Sequence, residues 1–522
     1  MCLRAAESSA EMEVNMNIKR AKTEIKNTLQ VYRKKREDGS YVIPAVRQRP
    51  ILLIGPPGIG KTAIMEQVAA ECNVGLVAYT ITHHTRQSAV GLPFIEKKYY
   101  GGKQYAVTEY TMSEIIASVY ESIEETGVSE GILFIDEINC VSETLAPTML
   151  QFLQCKTFGN ERVPEGWLIV AAGNPAEYNR SVREFDVVTL DRVKQIKLEA
   201  DYDVWKEYAY RQRVHGAVIS YLDIRREDFY SIHQNVDGKQ FVTARGWEDL
   251  SEFLYVCEEL EIPVDEEVVK QYIAHPKIAK NFAAYLELYR KYRTDYNINS
   301  ILAGDYAKFA AGRLKNASFD ERYSVLSLLV DRISGEFRAV WMEDAVITKL
   351  YEILKMAKEL LVEDKDYNAF LNLQDTLHKQ EELRRKRIKK PEEQEALCAA
   401  LQHFSNLCQE VKLLGNSDPD AAFKILKERF EGMTAQQEQQ ASTAGKMLDY
   451  CFCFLEKTFG EGQELVIFLT ELSLNYYCME YINQYGNKTY EKYNKELLFQ
   501  DRKNNILREI DELVMAEPKI KL

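Results

Sequence analysis

The first two hundred residues alternate short apolar runs with segments of helical pattern. A run without a polar residue is typical of a strand that is buried on both faces of a parallel sheet. A charged segment of helical character over residues 17–36 precedes the first apolar run, and a helical pattern follows it from Ile64. The alternation predicts an α/β domain with a parallel sheet, ending near residue 199. Its strands are predicted at residues 51–54, 74–81, 132–135 and 168–172.

The pattern changes from about residue 202 onward. Strand-like runs fade, and apolar residues recur at the 3.6-residue period of an α-helix. A helix start is predicted at Asp418-Pro419, and a turn at Gly486. The second half of the chain is therefore predicted to be largely α-helical. One helix face is marked by residues at steps of three and four, namely Ile347, Leu350, Leu354, Ala357 and Leu361.

Composition restricts the classes of protein that fit. The chain has 522 residues, enough for several domains, and its 67 basic against 80 acidic residues give a net charge of −13. An acidic chain lacks the overall basic footprint of a nucleic-acid-binding protein. No run of about 18 apolar residues occurs, so we expect no membrane span and a cytoplasmic location. The polar residues 1–16 are predicted to be a flexible extension, with Met16 as an alternative start.

A glycine-rich motif follows the first predicted strand. It fits the pattern G-x-x-x-x-G-K-[ST], between a buried strand and a helix, as a phosphate-binding loop requires. Glycines allow backbone N–H groups to surround phosphate oxygens, and the helix N-terminus adds positive potential. Lys61 would contact the β- and γ-phosphates of ATP, and Thr62 would offer its hydroxyl to Mg²⁺. The predicted nucleotide-binding residues are Gly55, Pro56, Pro57, Gly58, Ile59, Gly60, Lys61, Thr62 and Ala63.

Three polar residues follow two later strands. Asp136 and Glu137 come directly after residues 132–135, at the strand end where α/β sites form. Asp136 is predicted to hold Mg²⁺, and Glu137 to orient and polarise the attacking water. Asn174 ends the next apolar run and precedes Pro175, so it is predicted either to touch the γ-phosphate or the water, or simply to turn the chain.

The order of these motifs resembles the AAA+ ATPases and, within them, the MoxR group. Residues 90–93 followed by a predicted hairpin over residues 94–110, turning at Gly101 and Gly102, look like the insert in the second helix that marks that branch. Residues 158–167 look like the hairpin before the strand that carries the asparagine. The resemblance covers roughly residues 17–290, and it makes Asn174 the first sensor.

The same resemblance assigns two arginines. Residues 178–192 are similar to the MoxR segment that carries the arginine finger, which would be Arg192, with Arg180 and Arg183 as alternatives. Arg245 lies where the lid helix begins in the family and would be the second sensor, which contacts phosphate from the lid. A surface ion pair is the alternative for each. A finger that acts on a neighbouring subunit implies a ring, and the family implies a hexamer.

The resemblance also implies a function and partners. The expected activity is Mg²⁺-dependent ATP hydrolysis by a ring that remodels or activates a protein client, a role in which partners often carry a von Willebrand factor A domain. The expected division is an extension over residues 1–16, an α/β nucleotide-binding domain over residues 17–200, a helical lid over residues 201–290, and a helical C-terminal region over residues 291–522 for partner or client binding.

Two other functions remain open at this point. Helicases and DNA-acting nucleotidases share the same AAA+ branch, so a nucleic-acid motor is the alternative, although the net charge argues against it. The basic run over residues 384–390 could contact nucleic acid, but acidic residues flank it on both sides, as on a solvated helix end. A switch that binds ATP without turnover is the third possibility, and the presence of Glu137 argues against it.

Overall fold

The computed structural model describes residues 15–83, 89, 91–158, 161–178, 182, 185–235, 238–305, 308–373, 376–377, 391–413 and 418–495. These residues form two compact units. The first comprises the described residues up to Trp205, the described part of Phe229–Trp247, and Pro391. The second comprises Lys206–Asp228 and the described parts of Glu248–Lys379 and Glu392–Leu522.

All strands among the described residues lie in the first unit. They are β1 (Ile51–Ile54), β2 (Gly75–Thr80), β3 (Pro93–Tyr100), β4 (Lys103–Tyr110), β5 (Gly131–Asp136), β6 (Thr157–Phe158), β7 (Glu161–Arg162), β8 (Trp167–Gly173), β9 (Lys194–Lys197), β10 (Ser231–Asn235) and β11 (Gly238–Val242). Five of them form a parallel sheet in the order β2-β5-β8-β1-β9. The other six pair as three antiparallel hairpins, β3-β4, β6-β7 and β10-β11.

Helices cover both faces of the sheet. The helices up to the unit boundary are α1 (Ile18–Arg33), α2 (Lys61–Cys72), α3 (Glu114–Thr126), α4 (Ala146–Cys155), α5 (Val187–Leu190) and α6 (Tyr202–Arg211). Leu53 in β1 packs in the core that α1 and α2 cover, whereas Leu52 packs in the core beneath α3 and α4. Because both faces are buried, the central strands β1, β5 and β8 are apolar except for Asp136 at the end of β5, and the predicted parallel α/β sheet is confirmed.

Two elements of the first unit were not predicted. Strand β9 contains Ile196 as its only apolar residue, because it lies at the edge of the sheet. The hairpin β10-β11 interrupts a stretch that the pattern indicated to be helical, and its strands are rich in polar residues. Met16, the last residue of the predicted extension, donates its backbone N–H to Lys197 and accepts a hydrogen bond from Glu199, while residues 1–14 lie outside the described part.

The second unit is built from helices. They are α7 (Gly216–Ile224), α8 (Ala244–Glu259, which begins in the first unit), α9 (Glu266–Tyr272), α10 (Pro276–Asp295), α11 (Ile298–Leu302), α12 (Lys308–Lys315), α13 (Phe319–Lys358), a π-helical turn (Glu359–Glu363), α14 (Pro391–Leu413), α15 (Pro419–Phe459), α16 (Gln463–Leu474) and α17 (Tyr476–Tyr485), with further helical residues at 367–373, 376–377 and 488–495. The predicted helical character of the C-terminal region is confirmed.

Local signals at the long helices agree with their structure. Helix α15 begins after Asp418, whose carboxylate accepts a hydrogen bond from the backbone N–H of Ala421, as a helix N-cap does. The apolar face predicted within and after α13 is buried at Leu350, Leu354 and Leu361. Within the described ranges, no helix is both long and apolar enough to cross a membrane.

A buried ionic cluster joins distant parts of the second unit. The Lys206 ammonium contacts Asp223 and Glu471, each at 2.7 Å. The hydroxyl of Tyr323 donates to Asp223 at 2.7 Å, and that of Tyr210 donates to Glu471. Because every charge in the cluster has an opposite charge or a hydrogen-bond donor beside it, its burial costs little relative to an unpaired charge.

Candidate functional site

The phosphate-binding loop lies at the carboxyl end of β1, at the edge of the sheet where α/β proteins bind ligands. Gly58 has φ +72° and Gly60 has φ +91°, in the left-handed region that glycine adopts without strain. A Cβ atom at Gly58 would also lie 2.9 Å from the side chain of Thr243. Gly55 opens the loop directly after β1, Pro56, Pro57 and Ile59 lie within it, and Thr62 and Ala63 lie in the first turn of α2.

Lys61 is buried at the base of this loop, with only 8% of its surface exposed. Its ammonium donates to the backbone carbonyl oxygens of Gly55 at 2.8 Å and Pro56 at 3.0 Å, and to Oδ1 of Asn174 at 2.9 Å. These three acceptors use all three protons of the ammonium group. Burial lowers the pKa of Lys61 to about 8, with Asp136 opposing the shift and Arg245 adding to it.

This lowered pKa predicts that nucleotide affinity depends on pH. Lys61 is cationic below its pKa and neutral above it, and phosphate oxygens favour the cation. We therefore expect ATP affinity to fall as pH rises through about 8, by up to about tenfold per pH unit. Titration with a fluorescent ATP analogue between about pH 7 and pH 9 measures the effect. The Lys61→Arg variant is the control, because its guanidinium stays charged over this range; parallel profiles for the two proteins would contradict the assignment.

The two acidic residues lie beside Thr62. Asp136 is the last residue of β5, and its Oδ2 accepts a hydrogen bond from the Thr62 hydroxyl across 3.4 Å. A hydroxyl and a carboxylate fit the ligands of Mg²⁺, which proteins hold through one or two carboxylates together with substrate phosphates. The structure thus brings together the two residues predicted to hold the metal.

Glu137 is held in an uncommon conformation. Its φ of +58° is in the left-handed region, which a residue other than glycine seldom occupies. Its backbone N–H donates to Asp136 Oδ1 at 2.8 Å, and its side chain accepts a hydrogen bond from the hydroxyl of Thr82 at 2.7 Å. Thr82 follows β2, and nothing in the sequence motifs indicates it, because it contacts Glu137 only through the pairing of β2 with β5.

The segment around β10 and β11 contacts the phosphate-binding loop. The hydroxyl of Tyr230 donates to the carbonyl oxygen of Pro57 at 2.7 Å. The backbone N–H of Arg245 donates to the carbonyl oxygen of Gly58 at 3.3 Å. The side chain of Arg245 is exposed, close enough to Lys61 to add to the lowering of its pKa. Arg245 is therefore near the predicted phosphate site, whereas Tyr230 is a loop contact that no motif indicated.

Arg192 is not brought to the phosphate-binding loop of its own chain. It follows the short helix α5, is exposed, and donates a hydrogen bond to the side chain of Gln154 at the end of α4. Val187, in the same helix, is 81% exposed. The alternative finger residues Arg180 and Arg183 lie outside the described residues, as does the basic run over residues 384–390.

Comparison with known proteins identifies this part of the chain. Residues 51–189 match the model of the ATPase family associated with various cellular activities, AAA. No curated protein sequence matches the chain. A solved structure of a candidate ATPase from Cytophaga hutchinsonii ATCC 33406 is similar at 17% identity over 37% of this chain, with a TM-score of 0.24. The chain spans 50% of the length of that protein, and a likeness this weak supports no conclusion. Residues 51–189 are thus similar to the ATPase domain of the AAA family.

Proposed function

We propose that this protein hydrolyses ATP with Mg²⁺, as a ring-forming ATPase of the MoxR type that remodels or activates a protein client. The observation that carries the proposal is the convergence of Lys61, Asn174 and the Thr62–Asp136 pair at one edge of the sheet, with Glu137 beside them. A phosphate-binding loop, a metal-ligand pair and a carboxylate for water are the parts that phosphoryl transfer to water needs.

Each residue has a defined task in this proposal. The cationic form of Lys61 binds phosphate oxygens, for which it must exchange at least one of its carbonyl acceptors. Glu137 accepts a proton from the attacking water and orients it. Thr62 and Asp136 would hold Mg²⁺, which would neutralise charge on the phosphate oxygens. Arg245 places a second positive charge beside the loop, where it stabilises the charge that develops on the transferred phosphoryl group.

The surface around Arg192 supports assembly into a ring. Among the described residues, the exposed Arg192 donates a hydrogen bond to the neutral side chain of Gln154, an interaction that a neighbouring molecule can replace. Val187 and Val188 of α5 are both exposed, which places apolar surface beside it. We infer that a second copy of the chain covers this surface and receives Arg192 in its nucleotide site, and that the ring is a hexamer.

The hairpin β3-β4 supports a protein client. Ile95 and Tyr99 lie on one face of this hairpin and are 77% and 70% exposed. Ion pairs of Lys98 with Glu96 and Glu109 occupy the other face. A two-stranded hairpin that exposes large apolar side chains is suited to contact another protein. A client with a von Willebrand factor A domain, a cytoplasmic location and a client-binding role for residues 291–522 are further parts of the proposal.

Phosphate release by the purified full-length chain tests the proposal. We expect phosphate release that requires both ATP and Mg²⁺ and stops when a chelator removes the metal. The Lys61→Ala variant should lose this release, and it should also lose most of its affinity for nucleotide. Labelled single- and double-stranded DNA, titrated at low and moderate salt, tests the nucleic-acid alternative. Tight binding that falls steeply with salt would favour a nucleic-acid motor over a protein-remodelling ATPase, and release that persists unchanged in Lys61→Ala would refute the site.

A further inference from the structure

Asn139 is a buried polar residue near the nucleotide site that no motif explains. It lies three positions after Asp136 and is 5% exposed. Its side-chain amide bonds to the backbone of Asn174 in both directions: Nδ2 donates to the carbonyl oxygen at 2.8 Å, and Oδ1 accepts from the N–H at 3.3 Å. One side chain therefore holds both backbone groups of a residue 35 positions away.

Gly173 makes room for this pair of hydrogen bonds. A Cβ atom at position 173 would lie 2.5 Å from Oδ1 of Asn139 and 2.8 Å from its Cγ, so any side chain there would displace the amide. The carbonyl oxygen of Gly173 also accepts a hydrogen bond from the N–H of Gly55, the first residue of the phosphate-binding loop, at 3.2 Å. Asn139 thus acts at the point where β8 meets that loop.

Asn174 needs such support because it lies beyond the sheet. Strand β8 ends at Gly173, so strand pairing does not hold the backbone of the next residue. The side chain of Asn174 nevertheless has to meet the Lys61 ammonium, 2.9 Å away. Groups that act on a reacting phosphate must be held to within about 0.5 Å, and a neighbouring residue with locked hydrogen bonds is a means of doing so.

We propose that Asn139 is a positioning residue for ATP hydrolysis, which fixes the backbone of Asn174 so that its side chain amide reaches Lys61 and the phosphate that Lys61 binds. This inference rests on the proposed function. Asn139 then affects the rate of turnover by positioning Asn174, in addition to any contribution that it makes to the stability of the fold. Loss of the two hydrogen bonds between Asn139 and Asn174 should therefore lower kcat much more than it changes KM.

Two substitutions of Asn139 test the inference. Asn139→Ala removes both hydrogen bonds. Asn139→Asp keeps the size and the acceptor but places a carboxylate oxygen against the carbonyl oxygen of Asn174, so it remains informative if the alanine variant does not fold. We expect each to lower kcat roughly 10- to 100-fold, the effect of a small misplacement in an active site. Gly173→Ala should have the same effect, since its Cβ displaces the amide.

Combination with Asn174→Ala separates positioning from a structural role. If Asn139 acts through Asn174, the double variant Asn139→Ala/Asn174→Ala should have the same kcat as Asn174→Ala alone. The side chain that Asn139 would position is already absent from the single variant. Asn475→Ala is the matched control: Asn475 is 1% exposed and its Oδ1 accepts a hydrogen bond from the N–H of Cys478. It should lower the thermal midpoint and leave kcat unchanged.

The outcomes distinguish a failure of the positioning role of Asn139 from a failure of the proposed ATP hydrolysis. No phosphate release from the unmodified chain overturns the proposed function and this inference with it. A low kcat in Asn174→Ala with a normal kcat in both Asn139 variants leaves the function standing and overturns the inference. Losses that multiply in the double variant, or a control that lowers kcat as much as Asn139→Ala does, assign Asn139 a structural role and likewise overturn it.

Discussion

Replacing Arg192 by alanine should leave ATP binding nearly intact and lower turnover by about 10³- to 10⁵-fold, the effect of losing an arginine finger. The guanidinium is exposed and bonded to Gln154, not to the phosphate-binding loop of its own chain. Its charge is needed only as the phosphoryl group leaves, so ground-state binding does not depend on it. Fluorescent ATP titration and phosphate release measure the two effects.

Mixing two inactive variants tests whether Arg192 acts on a neighbouring subunit. Arg192→Ala keeps its own catalytic carboxylates but provides no finger, whereas Glu137→Gln provides a finger but does not hydrolyse. In mixed rings some sites combine an intact Glu137 with a neighbour's Arg192, so activity should partly return. An arginine that acts within its own chain gives no such recovery. A tagged pull-down shows whether subunits exchange, and exchange without recovery would disprove the trans assignment.

Three further variants define which arginine is responsible. Arg332 is exposed and pairs with Glu336 one helical turn away at 3.1 Å, far along the chain from the site. Arg332→Ala should therefore hydrolyse ATP at the rate of the unmodified protein. Arg180→Ala and Arg183→Ala address the two alternatives. A loss of turnover confined to one of them, with normal turnover in Arg192→Ala, would transfer the finger to that residue.

Glu137→Gln is expected to bind ATP and to turn it over roughly 10²- to 10⁴-fold more slowly, the usual contribution of a general base. Glutamine has nearly the same shape but cannot accept a proton from water. The hydrogen bond from the Thr82 hydroxyl can persist, since an amide oxygen accepts it as a carboxylate does. Single-turnover hydrolysis, together with binding of the ATP analogue, separates the chemical step from affinity.

Glu143→Gln provides the control for this substitution. Glu143 is exposed in the same loop, and the chemical change is identical. We expect its turnover to equal that of the unmodified chain. If Glu137→Gln also hydrolyses ATP at the parent rate, Glu137 does not activate the water, and another group must be sought at the carboxyl end of β5.

The sequence predicted those features that depend on neighbours along the chain. The central strands are recognisable because burial on both faces removes polar residues from them. The phosphate-binding loop is recognisable because left-handed turns around a phosphate demand glycine at Gly58 and Gly60. The order of Lys61, Asp136 and Asn174 at successive strand ends predicted that they would meet, and Lys61 and Asn174 are in contact.

The edge strand β9 and the hairpin β10-β11 escaped prediction because little of their surface is buried. Strand β9 has one apolar residue, and β10 and β11 are mostly polar, so their hydrophobic pattern does not differ from that of a loop. Their pairing depends on backbone hydrogen bonds, which any residue except proline can make. The roles of Arg192 and Arg245, the ring and the client remain predictions.

By itself, the sequence determined the parallel α/β core, the phosphate-binding loop and the helical second half, because these depend on local patterns of burial and turn geometry. Only the tertiary structure decided which distant side chains support them. Thr82 reaches Glu137 across paired strands, Asn139 holds a residue 35 positions away, and Lys206 meets Glu471 265 positions away. Such contacts leave no periodic trace, since each requires one polar residue at one point in space, and the fold alone sets that point.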